Sequence, residues 1–381
     1  MRIVLGLLVL GSLSLFACSG DDGGGIRRAG GGSGGSSTEG DILPGPGGGQ
    51  TGPAAAVTCP AGLTTKELSA IDKNAADIRI VGGNVVFRDG NTVVKVDARG
   101  IRSQLYASTD LVRSFSDADV IATIESPDPP NAVLKVMPAG PTTGPSGLET
   151  APPLVVTPAN WNAGGTSIFG SDATYLYVLA DVQTTGDTIY KVNKANPAIM
   201  TQLANLENAS LGSAQVVGSD VWFVREQKRV YKVAQVTDPD DKLAPVPGLP
   251  GGAGTATEVF GLEYGDCKLA VSGTHTFCST GKVLEQRDLE GGSMQTVLDP
   301  EKSALKSLLG AALWGGDTVF VRSLPAGTSD PLRNGIRAVK AGVASSEKFV
   351  ACGRETITSF AADSTTVVWT EQGKGVFSAP R

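Results

Sequence analysis

The sequence predicts an all-β fold built from a repeated four-stranded unit, on three observations. The first is composition. The 381-residue chain has 50 Gly, 41% hydrophobic and only 18% charged residues, with Val, Thr and Ser plentiful; this suits short strands and tight turns around a packed core. The second is a recurring hairpin. An apolar strand enters a two-residue turn of Gly, Ser or Asp, and a second strand follows with an aromatic residue four positions on. The third is spacing. From Phe87 to Trp369 is 282 residues across six intervals, an average of 47. Repeats of roughly 40–50 residues with four short strands each are the signature of a β-propeller, and seven copies predict seven blades.

The first segment is an address. Met1-Arg2 is a minimal positive region, and Ile3 to Phe16 is an uncharged apolar run. It is shorter than the ~20 residues that span a bilayer and fits a signal peptide. Residues 1–17 are therefore read as a signal peptide. Residues 18–58 follow as a tether, of which Ser19 to Ala56 contains 15 Gly and almost no large apolar side chain. Such a segment cannot offset its ordering entropy and is expected to be disordered, with a root-mean-square reach of roughly 35 Å. Within it, Gly31 to Gly35 matches G-x-S-x-G only formally, because no strand precedes it. Residues 59–381 form the propeller domain.

Four repeats match closely: Gly82-Gly83 leads to Phe87, Gly218-Ser219 to Phe223, Ser272-Gly273 to Phe277, and Gly315-Gly316 to Phe320. Ser171-Asp172 to Tyr177 and Asp363-Ser364 to Trp369 match with one residue of slack, and Asp117-Ala118 to Ala122 is degenerate. The third strands share a register, clearest in Val94-Lys95-Val96, Leu134-Lys135-Val136, Tyr190-Lys191-Val192 and Tyr231-Lys232-Val233. The aromatics are expected to pack between blades. The lysines should lay their stems across a blade with the ammonium at the rim. The last copy stops at its third strand, so Leu63 to Ile71 is expected to supply the fourth and close the ring, removing two open edges.

Leu15-Phe16-Ala17-Cys18 resembles a bacterial lipobox. The resemblance implies cleavage before Cys18, acylation of its sulfur and amine, and stable anchoring to a bilayer without a spanning helix. Ser19 in place of Asp favours the outer membrane over the inner. The repeats resemble those of bacterial seven-bladed propeller lipoproteins, and the hairpin cores Asn84 to Asp89 and Thr366 to Glu371 loosely resemble YWTD-type blades. That resemblance implies that the loops joining second to third strands, and fourth strands to the next blade, form the ligand face. Its long members are Glu125 to Asn131, Ala180 to Asp187 and Ser323 to Asn334. Trp161, between Asn160 and Asn162, falls on the same face. There an aromatic flanked by amides can stack on a sugar or a peptide side chain, with Asp128, Asp330 and Arg333 as polar contacts.

Four cysteines remain after Cys18, and an even count in an exported chain favours disulfides. Taking Ser272-Gly273 as the turn sets Cys267 against Cys278, at a Cα separation of roughly 4.5–5.5 Å that suits a bridge. Cys59 and Cys352 are left. A bridge between them would bolt the closing strand to the neighbouring blade, yet Cys59 precedes an outer strand and Cys352 follows one, which sets them toward opposite ends.

Much chemistry is excluded. One histidine, His275, leaves no His-pair zinc site and little room for a Ser-His-Asp triad; it shares a face with Phe277 and reads as packing. Asp238, Asp240 and Asp241 lack the glycine and distal glutamate of an EF-hand loop. No P-loop, zincin, dinucleotide or sialidase Asp-box motif is found, so no cofactor, metal or catalytic residue is assigned. The net charge of −6 is scattered and gives no nucleic-acid footprint. The expected function is that of an envelope lipoprotein, a monomeric domain binding a protein or glycan. The alternative is a glycan lyase or hydrolase working through carboxylate or Tyr chemistry.

Overall fold

The computed structural model describes residues 59–381, apart from short stretches of which the longest are 206–213, 235–256, 262–267, 299–311 and 324–334. The described strands form seven four-stranded antiparallel sheets and one two-stranded ribbon, and no α-helix. Blade 1 is β2 (Ala75–Val81), β3 (Asn84–Asp89), β4 (Thr92–Val96) and β5 (Arg102–Ala107). Blade 2 is β6 (Leu111–Ser116), β7 (Val120–Glu125), β8 (Val133–Pro138) and the short β11 (Leu154–Val156), with the ribbon β9 (Thr142–Gly144) and β10 (Gly147–Glu149) between its last two strands. Blade 3 is β12 (Trp161–Ser171), β13 (Tyr175–Val182), β14 (Gly186–Asn193) and β15 (Met200–Asn205). Blade 4 is β16 (Ala214–Val217), β17 (Asp220–Arg225), β18 (Arg229–Ala234) and β19 (Thr257–Gly261). Blade 5 is β20 (Lys268–Val271), β21 (His275–Ser279), β22 (Leu284–Asp288) and β23 (Gln295–Leu298). Blade 6 is β24 (Ala312–Gly315), β25 (Thr318–Ser323), β26 (Gly335–Lys340) and β27 (Lys348–Cys352). Blade 7 is β28 (Ile357–Ala362), β29 (Thr366–Glu371), β30 (Gly375–Pro380) and, from the other end of the chain, β1 (Lys66–Ala70).

First strands touch in sequence around the ring: β2 meets β6, β6 meets β12, then β16, β20, β24 and β28, which returns to β2. Five of the six expected aromatics fill the spaces between blades, and the side chain of Phe320 lies outside the described residues. Phe87, Tyr177, Phe223, Phe277 and Trp369 are each at most 1% exposed. Phe87 shares a cluster with Ala361 and Val368 of blade 7, and Tyr177 shares one with Val221 and Phe223 of blade 4.

A second recurring device lies in the fourth strands. In six blades the pairing of third and fourth strands slips by one residue at the same place, leaving Leu68, Leu105, Leu203, Val259, Val297 and Val350 as the extra residue. A bulge of this kind turns an additional side chain toward one face and sharpens the strand's twist. That extra side chain is apolar each time, and it is spent on the next blade. Leu203 clusters with Ala214 and Phe223, Val259 with Leu269 and Val271, and Val350 with Phe360 and Trp369.

The turns between first and second strands come in two chemical forms. Gly82 and Gly83 both have positive φ (54° and 76°), the geometry of a two-residue hairpin turn that only glycine enters without strain. Elsewhere a polar side chain does the work. Asp117, Asp172 and Asp363 each accept, on Oδ1, the backbone N–H groups two and three residues on, and Ser272 Oγ does the same for Thr274 and His275. In these turns the Asp or Ser opens the turn instead of occupying its centre.

That corrects one register. Ser272 N–H donates to the His275 carbonyl (2.7 Å) and Val271 faces Thr276, so the turn is centred one residue later than expected. Cys278 therefore stands opposite Leu269 and not opposite Cys267. Cys278 is disulfide-bonded, and Cys267 lies outside the described residues. Cys59 and Cys352 form a bridge with Cα atoms 5.6 Å apart. The chain turns at Ala61-Gly62 before β1 begins, which brings Cys59 back to the end of β27. His275 packs as expected, its ring 6.3 Å from that of Phe277.

The lysines depart from expectation. Lys191 is 2% exposed, its Nζ 4.3 Å from the centre of the Tyr175 ring, and Lys232 Nζ lies 5.5 Å from that of Trp222. Their ammonium groups sit over aromatic faces and not in water at the rim, because a desolvated cation gains from a ring quadrupole.

If the bulged residue joins the blades, Leu203→Ala should cost about 2–5 kcal/mol in denaturant unfolding, whereas the exposed Gln104→Ala should stay within about 0.5 kcal/mol.

Candidate functional site

The second strands of three consecutive blades end in buried carboxylates: Glu371, Asp89 and Glu125, exposed by 1%, 3% and 2%. Each is satisfied by a cation. Arg102 Nη2 donates to Asp89 (2.7 Å). Arg354 Nη1 lies 3.4 Å from Glu371, which also accepts a bond from Trp369 Nε1 (2.9 Å). Glu125 takes Lys135 Nζ at 2.7 Å, Ser108 Oγ at 2.9 Å and the Tyr106 hydroxyl. Burial works to raise the Glu125 pKa, but these hydrogen bonds outweigh it and hold the carboxyl below its ordinary 4.5. Burial and the Glu125 bond push Tyr106 up. Tyr106 and Ser108 come from blade 1 and its exit, so the cluster fastens blade 1 to blade 2.

A different arrangement occupies the start of β12. The connection after β7 lies along this first strand. Ala132 N–H donates to the Trp161 carbonyl (2.9 Å), Ala163 N–H to the Pro130 carbonyl (2.8 Å), and Asn131 bridges Asn162. Trp161, expected to be a ligand-facing aromatic, is 3% exposed and its ring lies 4.9 Å from that of Tyr190. Its neighbours Ala132, Leu134 and Val182 cover it, so the indole serves packing. Asn160, at the entry, adopts a positive φ of 64°.

Beside the tryptophan β12 bulges between Asn162 and Ser167. A Cβ on Gly165 would come within 2.4 Å of Asp181 Cβ, so the strand can approach this side chain only because residue 165 is glycine. Asn162 holds the bulge from inside: its Nδ2 donates to Asp181 Oδ2 (3.0 Å), its Oδ1 accepts from Gly164 N–H (3.1 Å), and its carbonyl accepts from Thr166 Oγ1 (2.8 Å). Asp181 pairs across the sheet with Asp187. Burial first, and the Asp181 charge second, raise Asp187 from 3.8 to about 6. Among the described residues no cation answers this pair. A half-buried carboxyl that keeps its proton in mild acid, next to one that accepts an amide, offers a donor and an acceptor to a hydroxyl, amide or ammonium group.

Asp128 is exposed on the same connection and accepts Asn131 Nδ2 on Oδ2 (3.4 Å). The structure thus brings Asp128 and Trp161 to one neighbourhood, while Cys18, Asp330, Arg333 and the acidic cluster Asp238, Asp240 and Asp241 lie outside the described residues. The expected loop Ala180 to Asp187 is mostly strand, since β13 runs to Val182 and β14 starts at Gly186. Asn162, Asp181 and Asp187 were not singled out in the sequence. The signal was Gly164-Gly165 inside an otherwise alternating strand, which marks a bulge.

With that geometry in hand, the class is that of a β-propeller. Among solved structures, the computationally designed Ika8 protein is similar at 11% identity, covering 83% of this chain and 100% of its own, with a TM-score of 0.50. YCF48 bound to D1 peptide is similar at 11% identity, covering 83% of this chain and 94% of its own, with a TM-score of 0.51. BamB from Moraxella catarrhalis, at 12% identity and 79% and 82% coverage, is more distant, with a TM-score of 0.44. At these identities the first two likenesses establish the fold alone. No protein-family model and no curated protein matches the chain.

Two pH tests follow. Asp187 has its folded pKa above its unfolded one, so the native state binds the proton more tightly and stability falls as pH rises from 3.8 to about 6. Asp187→Asn should remove that fall and raise the melting temperature at pH 8 but not at pH 3.5. Glu125 has the opposite sign: its contribution is present above 4.5 and lost as pH falls through its depressed value. Glu125→Gln should lower stability at neutral pH by about 1–3 kcal/mol and flatten the acid limb of the unfolding profile.

Proposed function

We propose that the protein is a lipid-anchored envelope protein whose propeller binds a protein segment or glycan at the blade 2–blade 3 edge of its ligand face. The observation that supports this is the half-buried polar mouth at the β12 bulge, where Asn162, Asp181 and Asp187 meet without a neutralising cation. An interaction site is the natural use of carboxylates left without a neutralising cation, because the fold itself gains nothing from their repulsion. The YCF48 structure, which holds a peptide, supports the choice of a protein ligand for a scaffold of this shape. The lipobox-like Leu15 to Cys18 and the glycine-rich tether support anchoring.

The same pair favours one second reading. A carboxyl of raised pKa, Asp187, paired across the hairpin with a second carboxyl, Asp181, is the pairing that glycoside chemistry uses. The two readings separate by experiment. Detergent-extracted protein is applied to peptide and glycan arrays, and bound glycans are checked for cleavage. Binding that weakens about tenfold or more in both Asp181→Asn and Asp187→Asn, with no cleavage, supports the binding reading. Cleavage abolished in Asp187→Asn with binding retained supports the enzyme. Array signals indifferent to both substitutions reject this site.

Anchoring has its own test. Cys18→Ser should abolish labelling by a radioactive fatty acid and move the protein from the membrane to the soluble fraction. Retention in the membrane without label rejects acylation at Cys18.

A further inference from the structure

Blade 7 differs from the other six in how its fourth strand is held. Elsewhere the fourth strand follows its third in sequence, as β5 follows β4 through the Asp97 to Ile101 turn. In blade 7 the third strand is β30 and the fourth is β1, whose own chain leads onward to blade 1. Its ladder to β30 has four paired positions interrupted by the Leu68 bulge. Lys66, Glu67 and Ala70 are exposed, so within the strand Leu68 alone packs on the apolar cluster with Ala75 and Val376, joined by Ile71 just after it. Arg354 Nη2 donates to Thr65 Oγ1 and Arg102 Nη1 donates to the Ala70 carbonyl (3.0 Å). Against this modest docking stands the Cys59–Cys352 bridge, which ties the start of the segment to the end of β27 in blade 6. Both cysteines are half-buried.

The bridge thus fixes a segment that is covalently held at its other end by β2. With both ends fixed, β1 has little conformational freedom to gain by leaving β30. With the bridge open, residues 59–71 are held at one end only, and the entropy of a released segment favours detachment. We propose that Cys59–Cys352 is a redox latch. A dithiol reductant opens it by thiolate attack on one sulfur, passing through a mixed disulfide to two protein thiols and one oxidised reductant. β1 then leaves blade 7 and exposes the β30 edge as an acceptor for an added strand. This device is independent of the ligand reading at blade 3.

The test uses the full chain with Cys59→Ser and Cys352→Ser together, which leaves the Cys278 disulfide intact without any reductant. Two quantities are read: hydrogen exchange, and fluorescence anisotropy of a labelled peptide with the sequence of Leu63 to Ile71. The expected result is a loss of about tenfold or more in amide protection confined to β1 and the β30 edge, with peptide bound by the variant and not by the oxidised protein. Unchanged protection of β1 overturns the latch. So does loss of protection spread over all blades, because the bridge is then a global staple. If the double variant does not fold, oxidised wild-type protein is treated briefly with dithiothreitol, alkylated, and read the same way. A Cys59–Cys352 bridge that stays closed until the ring unfolds also overturns the proposal.

Discussion

A four-stranded blade has two faces and no interior of its own. Every apolar side chain on either face must be buried by a neighbour, so no blade of this protein is stable apart from the ring. The aromatic on the second strand of blades 1, 3, 4, 5 and 7 fills one side of the gap, and the bulged Leu or Val on the fourth strand of six blades adds a side chain toward the next. The bulge is what allows this reach. Without the extra residue the fourth strand would alternate strictly, and the side chain now facing the next blade would turn to the other face. The buried carboxylates of blades 7, 1 and 2 belong to the same scheme, since Glu125 is satisfied in part by Tyr106 and Ser108 from the preceding blade.

This dependence puts the greatest demand on the junction where the chain's two ends meet. A ring stabilised by neighbour contacts loses two interfaces if one blade is incomplete. Leu68 is the bulged residue of blade 7, and it shares its cluster with Val368 and Val376 of that blade and with Ile78 and Phe87 of blade 1. Losing β1 therefore weakens the seam on both sides. Placing a covalent bridge at the segment that carries Leu68 protects the part of the ring where sequence continuity does not.

How much of this was legible in the sequence depends on which interaction encodes it. The hairpins were legible because a turn and an aromatic at fixed spacing leave a local pattern, and the closing strand because the last repeat lacks its fourth member. Turn centres were less legible. Asp172 and Ser272 look like central turn residues by composition, yet their side chains bond backbone groups two and three residues on, which places them at the turn's opening. That one-residue difference moved Cys278 from Cys267 to Leu269. The bulged residues were visible only in retrospect, because a single Leu or Val in a polar outer strand resembles ordinary alternation. Trp161 misled for a related reason: polar neighbours in sequence say nothing about the strand of another blade that covers it. The Asp181–Asp187 pair flanks the turn of one hairpin, and its register depends on where β13 ends and β14 begins, which a loop reading of Ala180 to Asp187 hides.

The carboxylates themselves separate structure from site. Glu125, Asp89 and Glu371 are almost fully buried, yet each meets an Arg or Lys at salt-bridge distance, and the Glu125 carboxyl is held below its ordinary value. Their charges are compensated within the fold. Asp181 and Asp187 are less buried and face each other across β13 and β14, with the Asn162 amide on the far side of Asp181; burial first, and the Asp181 charge second, drive Asp187 upward. An arrangement whose energy worsens as it ionises does not fasten blades together. It persists because Gly165 lets the strand bend close and Asn162 holds the bend. Carboxylates on neighbouring blades thus differ in whether a cation reaches them: Lys135, Arg102 and Arg354 answer Glu125, Asp89 and Glu371, and among the described residues none answers Asp181 and Asp187.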